Sequence, residues 1–166
     1  METLASLTER HAHTGRVTWL GVRPARHAPL VPHDRVEIDA CGLEGDHRTR
    51  PGKRAVSLVQ AEHLPVIAAL LGIDAVEPQS LRRNIVISGI NLLGLRNRRF
   101  RIGTAILEGT GLCAPCSRME EAFGHGGYSA VRGHGGITAW VLESGTVALG
   151  DDVSPIVEPE HGCRPR

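Results

Sequence analysis

Several features that would narrow the function at once are missing from this 166-residue chain. Lysine occurs once, as Lys53. Nothing around it suggests a buried, activated amine, so a Schiff base with a carbonyl substrate is not expected, nor is pyridoxal phosphate. No apolar run approaches the roughly 18 residues needed to span a bilayer; the longest, residues 65–73, is far shorter. The opening METLASLTERHAHTGR carries Glu2, Glu9 and two histidines where a secretory signal has a basic start and an apolar stretch. A cytoplasmic setting without a membrane partner is the expectation. Nineteen basic against eighteen acidic residues leave +1, so no bulk charge argues for nucleic acid or anionic lipid. Four cysteines, at 41, 113, 116 and 163, are too few for a disulfide-stapled scaffold, and in a reducing compartment a close pair points instead to metal or thiol chemistry.

What is present suits one domain. Hydrophobic residues make up 41% of the chain and charged residues 22%, the balance of a single packed core with an ordinary solvated surface. Residues 1–14 read as a flexible lead-in, residues 15–153 as the domain, and residues 154–166, with Pro155, Pro159 and Pro165, as a tail. Segments 17–22, 55–59, 84–88, 100–107 and 137–142, with a short one around Val147, are β-branched and bounded by glycine or polar turns. Residues 35–39 alternate polar positions with Val36 and Ile38, the two-residue period of a strand. Residues 60–71 carry Leu64, Ile67, Ala68 and Leu71 at helical spacing, with Pro65 in the first turn. No strand-then-long-helix unit recurs, so the reading is a mostly β fold, an antiparallel sheet or barrel, with a few short helices.

Three segments hold candidate chemistry. The first is GTGLCAPCSRMEE, residues 109–121. A short helix over 117–123 would place Cys116 near its start, where unpaired amides and the charge of Arg118 favour a thiolate able to carry sulfur, attack an electrophile or bind a soft metal. The two-residue spacing of Cys113 and Cys116 also suits a dithiol pair. It equally suits half of a zinc site completed by His125 and His134, each set in a Gly-His-Gly-Gly phrase. The second segment is SLRRNIVISGINLLGLRNRRFRIG, residues 80–103, with six arginines and no acid between Arg82 and Arg101. The planar guanidinium fork matches phosphate oxygens, and Asn84 adds an amide with both donor and acceptor. Phe100 is the sole aromatic there, which leaves single-stranded nucleic acid few stacking platforms, so nucleic acid is not the expected partner. The third is CGLEGDHRTRPGKRAVSLVQ, residues 41–60, where Asp46 and His47 offer an acid, a base or a pair of ligands. Arg54 follows Lys53 where a phosphate-binding Gly-Lys loop needs a hydroxyl, so no ATP site of that type is indicated.

Together GLEGDHR (42–48), RAVSLV (54–59), RRNIVISGINLLGL (82–95), FRIGTAILEG (100–109) and the 113–118 cysteine phrase resemble the MOSC domain. This module ends the molybdenum cofactor sulfurases and also occurs as stand-alone bacterial proteins. The resemblance implies a β-barrel and a molybdenum-pterin cofactor. Cys116 would be the family cysteine and metal ligand, with Arg54, Arg82, Arg83, Asn84 and Arg118 as cofactor contacts; Cys113 is an extra thiol. It further implies molybdenum-dependent redox chemistry, linked in stand-alone relatives with N-hydroxylated bases and amines, or sulfur transfer to a molybdoenzyme client. A pterin-held molybdenum needs a soft ligand, donors along the pterin and positive charge at the phosphate. No flavin, haem or iron–sulfur motif is visible, so a redox role calls for a separate reductase. The alternative is a non-catalytic module that holds an anionic or nucleotide-like ligand and uses its cysteines structurally or for zinc.

Overall fold

The structure, a computed structural model, describes residues 1–157. In chain order it contains α1 (Leu4–Thr8), β1 (Gly15–Val22), β2 (Val31–Pro32), β3 (Arg35–Asp39), β4 (Gly42–Leu43) and β5 (Val56–Gln60). There follow α2 (His63–Leu71), α3 (Pro78–Leu81), β6 (Ile85–Ser88), a 3-10 turn (Leu92–Leu95), β7 (Arg99–Ile102) and β8 (Ala105–Leu112). The last are α4 (Arg118–Phe123), α5 (Gly127–Val131), β9 (Ile137–Glu143), β10 (Gly145–Ala148) and β11 (Asp152–Pro155).

Seven strands close a barrel in the order β1, β6, β5, β9, β8, β7, β11, with β11 returning to pair with β1. The short β2 extends β1, and β10, β3 and β4 form a separate three-stranded sheet. Closure removes the exposed strand edges that an open sheet of this size would leave. Leu20, Leu58, Ile85, Ile87, Phe100, Ile102 and Leu107 belong to the main core cluster, joined by Val36, Ile38 and Val147 of the smaller sheet.

Every neighbouring barrel pair is antiparallel except β5 and β6, which run parallel. The expected mostly β barrel with short helices is present, but it is not wholly antiparallel: one strand–helix–strand unit exists, with α2 and α3 as the crossover that a parallel pair requires. Its strands are buried on both faces. Leu58, Ile85 and Ile87 belong to the main cluster, while Val59 and Val86 belong to a second, with Ile67 and Ala68 of α2, Leu81, Met119, Ala130 and Val131. Double burial explains why these segments read as continuous apolar runs. The expected helix 60–71 begins later, at His63, because Gln60 stays in register with Ile87 and the Ala61 amide donates to the Ile87 carbonyl at 2.8 Å.

The expected strand 100–107 is a hairpin, with Ile102 opposite Ala105 and Gly103 (φ +55°) in the two-residue turn, a backbone that suits glycine. Within the expected lead-in, Glu9 pairs with Arg98, and the His11 ring lies against Gly94. Of the expected tail, Ser154 and Pro155 finish β11, while residues 158–166, including Cys163, lie outside the described residues.

Gly136 combines a left-handed backbone (φ +86°) with close approach: a Cβ there would lie 1.8 Å from the Leu58 carbonyl oxygen. Gly133 has a similar φ, +85°, but open space around it. In urea unfolding, Gly133→Ala is expected to cost about 1–2 kcal/mol, the conformational penalty alone. Gly136→Ala should cost at least about 3 kcal/mol, since backbone must also move.

Candidate functional site

The end of β1, the start of β6, the loop before β5 and the loop after β8 meet around Asn84. Its Oδ1 accepts from the Ser57 amide (3.3 Å) and hydroxyl (3.0 Å), and its Nδ2 donates to the Gly21 carbonyl (3.2 Å) and to Asp46 Oδ2 (2.9 Å). All four hydrogen-bonding positions of the side-chain amide are therefore engaged inside the protein. Asp46, its side chain 4% exposed, also accepts from the amides of Arg23 (3.1 Å) and Arg48 (3.4 Å). Burial by itself would raise its pKa. The Arg23 amide and guanidinium, the Asn84 amide and the Arg48 amide outweigh that and hold the carboxyl below its ordinary value. His47 Nδ1 lies 2.9 Å from Asp46 Oδ1 without the alignment of a hydrogen bond.

Arg83 is the neighbouring residue and is 6% exposed. Its Nε donates to the Gly135 carbonyl (2.7 Å), Nη1 to Leu81 (2.8 Å), and Nη2 to Cys113 (3.1 Å) and Ala114 (3.4 Å). These contacts tie the start of β6 to the cysteine loop and to the turn before β9. Among the described residues no carboxylate pairs with this guanidinium. Its pKa is lowered, chiefly by burial and further by Arg23 and Arg54, while Cys113 and Cys116 act in the opposite direction. A buried cation with no carboxylate favours an anion beside it.

The space beside Arg83 is lined for one. A cavity of about 100 Å³ is walled by Arg23, Arg48, Arg54, Arg82 and Arg83, with Ser57, Asn84, Cys113 and Thr138. Next to it, a more open one of about 240 Å³ shares Arg23, Arg82 and Arg83 and adds Arg26, His27, His47, Cys116 and Arg118. Cys116 is exposed, while Cys113 is buried. The Arg118 guanidinium contacts His27 Nδ1. That charge, then slight desolvation, Arg26 and Arg82, lowers the His27 pKa against the opposing effect of Glu121. Arg82 caps α3 at φ +59°, an uncommon backbone for a residue with a side chain, and its Nη2 donates to the Arg26 carbonyl at 3.3 Å.

The structure thus gathers Cys116, His47, Arg54, Arg82, Arg83 and Arg118 around two adjoining cavities, with Asp46 and Asn84 buried in the wall beneath. Arg23, Arg48, Arg26 and His27 were missed as site residues. Arg48 ends the GLEGDHR phrase, a signal that was available, whereas nothing local marks Arg23. The arginine-rich stretch, by contrast, divides: Arg98 pairs with Glu9 and Arg99 with Glu108, away from the site. The zinc arrangement does not form. His125 is exposed, His134 packs edge-on against His63 at 5.1 Å between ring centroids, and among the described residues no group of three or more donors could hold a metal.

The MOSC domain model matches residues 11–154. The chain belongs to the MOSC family. Its fold is similar to that of the YUAD protein from Bacillus subtilis (TM-score 0.76, 21% identity, 85% of this chain and 94% of that one). It is also similar to YiiM from Geobacillus stearothermophilus (0.72, 17%, 89% and 77%) and to YiiM from Escherichia coli (0.66, 19%, 87% and 71%). At these identities the likeness shows the fold alone. Among curated proteins none matches the chain. No helix of the described residues is long and apolar enough to cross a membrane.

Because the Asp46 carboxyl is held below its ordinary value, it contributes stability above about pH 4 that is lost as pH falls through the depressed pKa. Asp46→Asn should therefore be less stable than the parent protein at pH 7. In denaturant titrations at successive pH values, that gap should narrow below about pH 4.

Proposed function

We propose that this protein binds a molybdenum-pterin cofactor and acts in molybdenum-dependent redox chemistry. Cys116 serves as the sulfur ligand to the metal, and the arginine-lined cavity holds the phosphate. The observation that carries this reading is the buried Arg83 cation, without a carboxylate partner and shared by two cavities, one of which also displays the exposed Cys116 thiol. The donor set fits the group: soft sulfur for the metal, guanidinium forks for phosphate oxygens. When bound, the cofactor supplies a metal centre that exchanges electrons in pairs with a substrate.

The chain's own residues bind and orient. Four of the five N–H groups of Arg83 are engaged with carbonyls, so it contributes mainly charge. Arg23, Arg48, Arg54 and Arg82 provide the contacts to phosphate oxygens, and Arg118 and His47 flank the sulfur. Asn84 and Asp46 are positioning residues. Electrons come from a separate reductase.

Protein from a cofactor-competent host should contain molybdenum and fluorescent pterin, with the metal lost in Cys116→Ser. A persulfide on Cys116 without molybdenum would assign sulfur delivery to a molybdoenzyme client instead. Neither signal, with anion binding intact in Cys116→Ser, would leave a non-catalytic anion-binding module. The cationic cavity has its own test. Arg82→Gly suits the left-handed backbone and should change unfolding free energy by less than about 1 kcal/mol. It should nonetheless shrink the rise in thermal midpoint that inorganic phosphate gives the parent protein.

A further inference from the structure

The cofactor reading uses one of two cysteines in the 113–116 loop, and the unused one is placed for chemistry. Cys113 is 7% exposed, and its backbone is pinned by its amide to the Gly136 carbonyl (2.9 Å) and by its carbonyl to Arg83 Nη2 (3.1 Å). Cys116 is exposed, and its carbonyl accepts from the Met119 amide (2.9 Å). The loop between these anchors has no regular secondary structure. Cys113 lines the inner arginine cavity and Cys116 the outer one, and the two cavities share Arg23, Arg82 and Arg83. The Arg83 guanidinium lies within electrostatic reach of both sulfurs. Two thiols of unequal access therefore flank one cation, the arrangement in which an exposed sulfur is oxidised first and a sheltered one resolves it.

We propose that Cys113 is the resolving thiol of Cys116 and that peroxide closes a reversible disulfide between them. In the first step Cys116 sulfur attacks hydrogen peroxide: the O–O bond breaks, an S–O bond forms, and one water leaves, giving a sulfenic acid. In the second, Cys113 sulfur attacks Cys116 sulfur: the S–S bond forms, the S–O bond breaks, and the departing hydroxide takes the Cys113 proton as a second water. Two thiols and one peroxide become one disulfide and two waters, and a dithiol reverses the change. Closure withdraws the one exposed cysteine among the described residues, so Cys116 is both shielded from irreversible oxidation and removed as a ligand. The proposal stands whether or not the protein carries molybdenum.

Trypsin releases residues 102–118 as one peptide that holds Cys113 and Cys116 and no other cysteine. With purified full-length protein, this peptide should take two iodoacetamide labels after denaturation. Following a several-fold molar excess of hydrogen peroxide it should take none and be two hydrogens lighter, and dithiothreitol should restore both labels. In Cys113→Ser and Cys113→Ala the lighter form should be lost, and Cys116 should instead proceed to sulfinic acid or cross-link two chains. Two variants of different polarity guard against a folding defect at this buried position. A parent peptide in which Cys116 becomes sulfinic acid while Cys113 still takes label would overturn the proposal. So would Cys116 oxidation products unchanged by both substitutions. A disulfide that forms in protein that a cofactor-competent host leaves without molybdenum would leave this inference standing while the cofactor reading fails.

Discussion

A guanidinium taken out of water without a carboxylate must be satisfied by dipoles, and in this protein that need is met at Arg83. Its four hydrogen bonds reach carbonyls from three separate stretches: the residue ending α3, the cysteine loop and the turn before β9. Each contact is individually modest, but a buried charge left unsatisfied is costly, so the set behaves as one unit. The cysteine loop has its place because Arg83 needs its carbonyls, and the cavity carries a positive field because no acid answers that charge.

Asn84 extends the same logic through neutral groups. It follows Arg83 directly, and its amide joins β1, β5 and the loop bearing Asp46. Asp46 in turn fixes the backbone at Arg23 and Arg48, two of the arginines that line the inner cavity. One buried carboxylate thus lies beside a cavity lined by five arginines and organises two of them through their amides. A site of this kind is rigid at its base and unsatisfied in charge at its surface, which suits an anion that must be held in one orientation.

Much of the fold was legible where the pattern is local. Residues 35–39 alternate because one face of β3 is buried and the other solvated, and the strand has those bounds. Leu64, Ile67, Ala68 and Leu71 sit at helical spacing because α2 covers β5 and β6. The segment 100–107 was misread because two strands of a tight hairpin share one apolar pattern, and only Gly103 and Thr104 separate them. The parallel pairing of β5 with β6 was not legible, since a doubly buried strand has no alternation and gives no sign of its partner's direction.

The sequence by itself determined that a close pair of cysteines follows a strand, that Arg82 and Arg83 precede another with Asn84 at its start, and that Asp46 and His47 sit in a glycine-bounded loop. Those are statements about neighbours in the chain, where spacing and side-chain chemistry suffice. Which arginines face the thiol was decided only in three dimensions. Arg23 and Arg48 arrive from the residue after β1 and the loop before β5, while Arg98 and Arg99, much nearer in sequence to Arg83, go to ion pairs elsewhere. The reason is closure: strand order in a barrel is set by long-range pairing, and that order determines which loops meet.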